Sequence, residues 1–224
     1  MRRWCTLTAL LLLVAGGAIG GDIAMFENLG FSASSDVFVF GQYGVTGPEG
    51  RAFAEVYAVD VAGNRFVSDG VFRYASDAPL SLGQDGRGAL YVTLARSYPL
   101  LARLNVDHLA TGRPIYILVD GAEPLERLSF RDFHTDRRYE VHLIQQSRGS
   151  DDAVSAAFHI ELTRTGRGET TTMTIGRPGF YRDGVGSYRI TQAIVGPDEA
   201  SIVFVVERRS PDGTVRYMVE TAAF

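Results

Sequence analysis

Hydrophobic and polar residues alternate along most of this chain, and the alternation predicts strands. Val37-Phe38-Val39-Phe40 is apolar at every position, so it reads as a strand buried on both faces. Residues 53–61 form a second strand, followed by Ala62-Gly63-Asn64-Arg65 and then Phe66-Val67. Gly63-Asn64 tolerates positive φ and predicts a two-residue hairpin turn. Residues 115–119 read as a short strand closed by Asp120-Gly121. Tyr139, Val141 and Leu143 alternate with Arg138, Glu140 and His142. Ala156, Phe158, Ile160 and Leu162 alternate with Ser155, His159, Glu161 and Thr163. Both are half-buried strands with one wet face. Residues 170–175, 188–195, 201–207 and 214–221 complete the set, the last two joined by Ser210-Pro211-Asp212-Gly213, a turn with suitable residues at each position. Strands recurring roughly every 10 to 15 residues predict a mainly β protein, an antiparallel meander that is either propeller-like or a sandwich.

One segment breaks the rhythm. Leu90, Leu94, Tyr98 and Leu101 fall on a single helical stripe, which predicts a central helical insertion between residues 85 and 105. Asp85 is placed to cap its start, and Pro99 is expected to kink it or split it in two. The helix is expected to pack against the sheet. There is also an internal echo: residues 32–40 align without gaps on residues 196–204. The offset is four periods of about 41 residues, near the length of a propeller blade. Each copy is a polar turn feeding an apolar strand.

Composition changes the picture at the N-terminus. Met1-Arg2-Arg3 is followed by an uncharged run with Leu10-Leu11-Leu12-Leu13-Val14-Ala15 at its heart and small residues after it. These are the three regions of a secretory signal, so residues 1–21 are expected to be a cleaved signal peptide and residues 22–224 one β-rich domain. A retained anchor is the weaker reading, because glycines shorten the strongly apolar part. The mature chain keeps 20 basic against 26 acidic residues, a net charge of −6, with no electrostatic reason to hold nucleic acid or anionic lipid. No later segment is apolar and long enough to span a bilayer. The only cysteine is Cys5, so the mature chain has no disulfide and no thiol nucleophile. The chain also has no lysine, which removes Schiff-base chemistry and the lysine of a phosphate-binding loop.

Phe26-Glu27-Asn28-Leu29-Gly30-Phe31-Ser32, Phe40-Gly41-Gln42-Tyr43-Gly44-Val45 and the ending Val215-Arg216-Tyr217-Met218-Val219-Glu220-Thr221 resemble a bacterial family of predicted secreted proteins with a domain of unknown function. A weaker echo sits at Gly88-Ala89-Leu90-Tyr91 and Asp107-His108-Leu109, so the resemblance spans the mature chain. It implies export and assigns no catalytic residue. The turn-plus-strand segments also resemble half-blades of the Tol-B type of propeller, although Ala33-Ser34-Ser35 stands where those blades show Pro-Asp-Gly.

Candidate chemistry is sparse. If residues 138–146 and 155–163 form a hairpin with paired numbers summing to 301, His142 faces His159 and Glu140 faces Glu161. Two imidazoles and two carboxylates on one face are the ligand types of a zinc site. The simpler reading is a solvated polar face, and the Glu140–Glu161 repulsion argues for that reading or for a bound cation. The run Asp132-Phe133-His134-Thr135-Asp136-Arg137-Arg138 is read as a solvated loop with local Asp–Arg pairing, ahead of an ion site. Gly83-Gln84-Asp85-Gly86-Arg87-Gly88 opens the helix, but its spacing is not that of a nucleotide loop, and a connector is favoured over a phosphate cradle. No Gly-x-Ser-x-Gly elbow is present. Tyr43, Tyr181 and Tyr188 near turns are read as packing residues ahead of a ligand surface.

These readings point to a secreted or periplasmic, non-enzymatic binding module that engages a protein or envelope component and needs no cofactor. A hydrolase of the cell envelope using the His/Glu strand face is the alternative, and a purely structural envelope protein is a third.

Overall fold

The computed structural model describes residues 22–47, 49–119, 125–150 and 153–224. The expected signal peptide lies outside the described residues, as does Asp120-Gly121. In chain order the elements are β1 (Met25–Ser32), β2 (Val37–Val45), β3 (Arg51–Asp60), β4 (Arg65–Pro79), α1 (Arg87–Arg103), β5 (Val106–Asp107) and β6 (Arg113–Ile117). Then come β7 (Arg127–Asp132), β8 (Arg137–Arg148), β9 (Ser155–Gly166), β10 (Glu169–Gly176), β11 (Arg182–Asp183), β12 (Ser187–Val195), β13 (Ser201–Arg209) and β14 (Val215–Ala223).

The strands form three antiparallel sheets. The N-terminal sheet runs β4-β3-β2-β1-β5, the central sheet β14-β13-β12-β6 and the outer sheet β10-β9-β8-β7, with β11 paired to β9. The mainly β architecture expected from alternation is present, as a stack of meanders. Side-chain parity explains the stacking. In β13, Ile202, Phe204 and Val206 pack against Tyr139, Phe158, Ile160 and Leu162 of the outer sheet. Val203 and Val205, on the opposite face, pack against Phe31, Phe38, Phe40 and Tyr57 of the N-terminal sheet. The N-terminal sheet turns its other face, including Val37, Val39 and Val56, to Ala89, Leu90 and Leu101 of the helix. The order of layers is therefore helix, N-terminal sheet, central sheet, outer sheet. Two sheets are covered on both sides, which is why β2 and β13 are apolar without alternation. The outer sheet has a wet far face, which carries Glu140, His142 and Glu161.

The internal echo extends well beyond nine residues. Shifted by 164, Val37–Val45 falls on Ser201–Arg209, and Arg51 falls on Val215, so β1-β2-β3 and β12-β13-β14 are the same three-strand meander. The turns match as well: Ser35 (φ 63°) and Glu199 (φ 57°) occupy the left-handed region at equivalent positions. Each donates its N–H to the carbonyl three residues back, at 2.8 and 3.0 Å.

Three local expectations are corrected. The β3–β4 hairpin has a four-residue loop at 61–64, not a two-residue turn, because Asp60 pairs with Arg65; only Asn64 takes a positive φ. The helix is one continuous element through Pro99. Pro99 and Ala95 both lie on the exposed face, so the carbonyl deprived of its donor can be hydrated and the helix survives. Tyr98 is 67% exposed, and the buried stripe runs instead through Leu90, Thr93, Ser97 and Leu101. Thr93 and Ser97 sit there at no cost in unpaired groups, since their hydroxyls donate to the carbonyls of Ala89 (2.8 Å) and Leu94 (3.0 Å).

Asp85 does serve the helix start, its carboxylate accepting the Arg87 N–H at 2.7 Å. Gly86 is needed for close approach: a Cβ there would lie 2.6 Å from the Gly44 carbonyl of β2. That contact, with Arg87 donating to the Tyr43 hydroxyl at 2.8 and 2.9 Å, seats the helix on its sheet.

The layering predicts where truncation is costly. Phe204→Ala should lose about 3–5 kcal/mol of unfolding free energy, whereas Tyr98→Ala should stay within about 0.5 kcal/mol of wild type, both measured by urea denaturation. Equal costs would refute this placement of the core.

Candidate functional site

The His–Glu face forms with a register different from the expected one. Paired residues of β8 and β9 sum to 303, so His142 faces Glu161, Glu140 faces Thr163, and His159 faces Ile144. A slip of two residues keeps both polar faces together while separating Glu140 from Glu161, which removes the like-charge opposition. His142 Nδ1 lies 3.8 Å from Glu161 Oε2. Glu140, His142 and Glu161 line an open groove of about 310 Å3 with Arg127 and Ser129, and His159 is not part of its lining. Among the described residues, no group of three or more His, Cys, Asp or Glu side chains is close enough to hold a metal ion.

The charged loop after β7 is only partly the solvated, locally paired loop expected: it is tied both to itself and to β6 and the turn before β13. Arg131 Nε donates to Asp136 at 2.7 Å. Asp132 is buried and bonded to Arg113, to the Thr135 hydroxyl at 2.5 Å and to the His134 N–H at 3.0 Å. Burial pushes its carboxyl upward, but the bonds from Thr135, His134 and Arg113 outweigh that and hold it below the usual range. The tyrosines are packing residues: Tyr43 and Tyr188 are buried, and Tyr181 stacks on Arg148 at 3.7 Å.

A further concavity was not visible in the sequence. It is a cleft of about 370 Å3 to which all three sheets contribute. β3 gives Val59 and the β3–β4 hairpin gives Gly63, Asn64, Arg65 and Phe66; β14 gives Met218, Val219 and Glu220; the end of β10, the loop after it and the start of β11 give Gly176, Arg177, Phe180 and Arg182. Glu220 forms its floor. This side chain faces the outer sheet from the same face of β14 that places it opposite Phe204. It is only 5% exposed, and a Cβ on Gly176 would meet its carboxylate at 3.2 Å, so that glycine makes room for the acid. Asn64 Nδ2 donates to Glu220 Oε2 at 2.5 Å. Burial raises the Glu220 carboxyl above its ordinary value, against the opposing pull of Asn64, Arg182 and Arg177. At the mouth, Phe66 and Phe180 are about half exposed, and the Arg177 and Arg182 guanidiniums lie 5.8 and 4.9 Å from the Phe180 ring centroid.

Asn64 also explains why the cleft is stable. β14 is an edge strand, and three of its outward N–H groups are capped from other elements. Val215 donates to the Asp22 carbonyl at 2.7 Å, Tyr217 to Gln42 Oε1 at 2.7 Å and Thr221 to Asn64 Oδ1 at 2.9 Å. One amide thus joins the N-terminal sheet, the edge of the central sheet and the floor of the cleft. Behind it, Glu55 accepts from Gln42 and Tyr57, each at 2.7 Å, and burial together with Glu55 pushes the Tyr57 phenol up to about 12.

A lone glutamate in the closing strand was the available sequence signal. β13 is apolar on both faces, so a neighbouring strand belongs to a covered sheet, and a carboxylate there requires partners. Asn64, Arg177 and Arg182 lie in hairpins and loops whose meeting no local pattern encodes.

The fold and the cleft define an antiparallel three-sheet protein with a buried carboxyl at a rim of arginine and phenylalanine. No helix among the described residues is long and apolar enough to cross a membrane. The chain belongs to the family described as Predicted secreted protein (DUF2259), whose profile matches residues 39–222, and it is a secreted or periplasmic protein of that family. No curated protein and no solved structure matches it.

The raised Glu220 carboxyl makes a pH-dependent prediction. A folded value above the unfolded one near 4.5 means the folded state holds the proton longer. Glu220 therefore favours folding least above its folded value, and its contribution falls as pH rises through that window. Asp132, held low, slopes the opposite way, so the readout is a difference between variants. Urea unfolding of wild type and Glu220→Gln from pH 4 to 8 should show wild type losing stability relative to the variant as pH rises. A difference that does not change with pH would disprove the burial argument.

Proposed function

We propose that this protein is a non-enzymatic binding module of the cell envelope or extracellular space, with the three-sheet cleft as its binding site. The observation that carries this reading is Glu220: a carboxyl buried at the floor of an open cleft whose mouth holds two guanidiniums and two exposed phenylalanines. Rings and cations at a mouth with a polar group at the floor are the usual makings of a site that orients a small polar ligand. Glu220 supplies an acceptor, or a donor when protonated, and Arg177 and Arg182 supply donors for carboxylate. Envelope molecules that carry sugars, amides and carboxylates present the complementary groups. Among the described residues the lining holds a single carboxylate, without the facing pair that glycoside cleavage uses. The hydrolase alternative on the outer sheet draws less support, since the groove there is open and His142 faces Glu161.

Soluble peptidoglycan fragments released by a muramidase provide the test, titrated calorimetrically into the mature protein. Binding is expected, weakened at least tenfold by the double variant Phe180→Ala, Arg177→Ala, while chromatography finds the fragments uncleaved. Absent binding, or equal binding by the double variant, would refute the cleft assignment. Cleaved fragments would refute the non-enzymatic reading.

A further inference from the structure

We propose that Arg137, Arg164 and Arg167 form a second, separate site that binds a phosphate group. The three side chains line a small cavity of about 30 Å3 with Gly166, Glu169 and Thr171, at the end of the outer sheet. Strand register brings them together. Arg164 pairs with Tyr139 and lies on the same covered face of the sheet, while Arg137 sits two residues before Tyr139 on that face. Arg167 follows from the tight β9–β10 turn, where it takes φ 54°.

The charges in this cluster are not balanced from within. Eight other arginines (Arg51, Arg65, Arg73, Arg113, Arg131, Arg189, Arg209 and Arg216) have a carboxylate within 4 Å. Among the described residues, Arg137, Arg164 and Arg167 have none; other arginines also lack one, but these three line a single cavity, with Glu169 as its one carboxylate. Two of the three are held in place. The Arg164 guanidinium stacks over the Phe224 ring at 3.6 Å, and Arg137 Nη1 donates to the Glu199 carbonyl at 3.0 Å. Each fixes a guanidinium while leaving N–H groups free for a ligand. Burial, then the charge of Arg137, lowers the Arg164 pKa, so the cluster stores like-charge repulsion in a partly desolvated place. The Tyr139 hydroxyl is fully buried and lies beside the Arg137 guanidinium. Gly166 leaves the space open: a Cβ there would meet Arg137 Cγ at 2.9 Å. A phosphate oxyanion would neutralise the pair and accept from the fixed guanidinium forks, the geometry for which arginine is suited.

The phosphate group has two sources in an envelope, a free phosphate or phosphoester and a lipid headgroup. Inorganic phosphate is the first probe, titrated against the mature protein and followed by thermal shift and by arginine Nε–H NMR signals. Saturable binding is expected, with the Arg137→Gln, Arg164→Gln variant at least tenfold weaker. Arg167→Gln, at an exposed turn where folding is not at risk, should weaken binding two- to fivefold. Flotation with phosphatidylglycerol vesicles is the second arm. Vesicle binding lost in the double variant assigns the headgroup as source; phosphate binding without vesicle binding assigns the free ion or ester. Neither probe binding, or both binding the variants as well as wild type, would overturn the site. Peptidoglycan-fragment binding at the Glu220 cleft is read separately and is unaffected by either result.

Discussion

A sheet that is apolar on both faces must be covered on both, and this requirement organises the molecule. β2 and β13 carry phenylalanine, valine and isoleucine at successive positions, so neither can face water. With a single cysteine, Cys5, the chain can close no internal disulfide, and burial of these faces is the main stabilising term. The helix closes one end of the stack, and the polar far face of the outer sheet closes the other. Concavities of use to a ligand then arise at rims, where strands end or sheets fail to overlap. The Glu220 cleft and the arginine cluster both lie at such places.

Rims also carry the polar networks. An edge strand exposes unpaired N–H groups and invites association with other chains. Along β14 the side-chain amides of Gln42 and Asn64 and the backbone of Asp22 take three of these donors, at Tyr217, Thr221 and Val215, and blunt the edge there. Fixing Asn64 for that purpose also fixes Glu220. The stability of the edge and the shape of the cleft are thus one set of hydrogen bonds, and such coupling holds a buried carboxyl in position.

Alternation and apolar runs made β2, β3, β8 to β10 and β12 to β14 legible from residue order, helical spacing showed the helix, and Ser210-Pro211-Asp212-Gly213 encoded its turn; β1, β7 and most of β4 were not read. Register was less legible for a definite reason. A two-residue slip between β8 and β9 preserves every inward and outward position, so hydrophobic pattern does not distinguish a sum of 301 from 303. Charge does: the observed register sets His142 against Glu161 and parts the two glutamates. Tyr98 was misplaced because a helical stripe of apolar residues does not reveal that Thr93 and Ser97 can be buried by bonding to their own helix. The Glu220 cleft was hidden because its parts come from loops more than a hundred residues apart.

The repeated meander explains why the cleft falls where it does. Phe38 and Phe40 face the central sheet, and their equivalents Ile202 and Phe204 face the outer sheet, so the two copies stack in the same sense, each packing its phenylalanine face on the next layer. In the first copy Tyr57 opposes Phe40; in the second Glu220 opposes Phe204. The copies differ beyond that strand. β3 continues to β4, which pairs along it, whereas β14 ends its sheet. Along the side of β14 where a further strand would pair, hydrogen bonds come instead from Asp22, Gln42 and Asn64. The cleft opens at this edge, which a strand covers in the first copy and none pairs in the second, and the buried carboxyl there has its polar neighbours supplied by side chains in place of a backbone ladder.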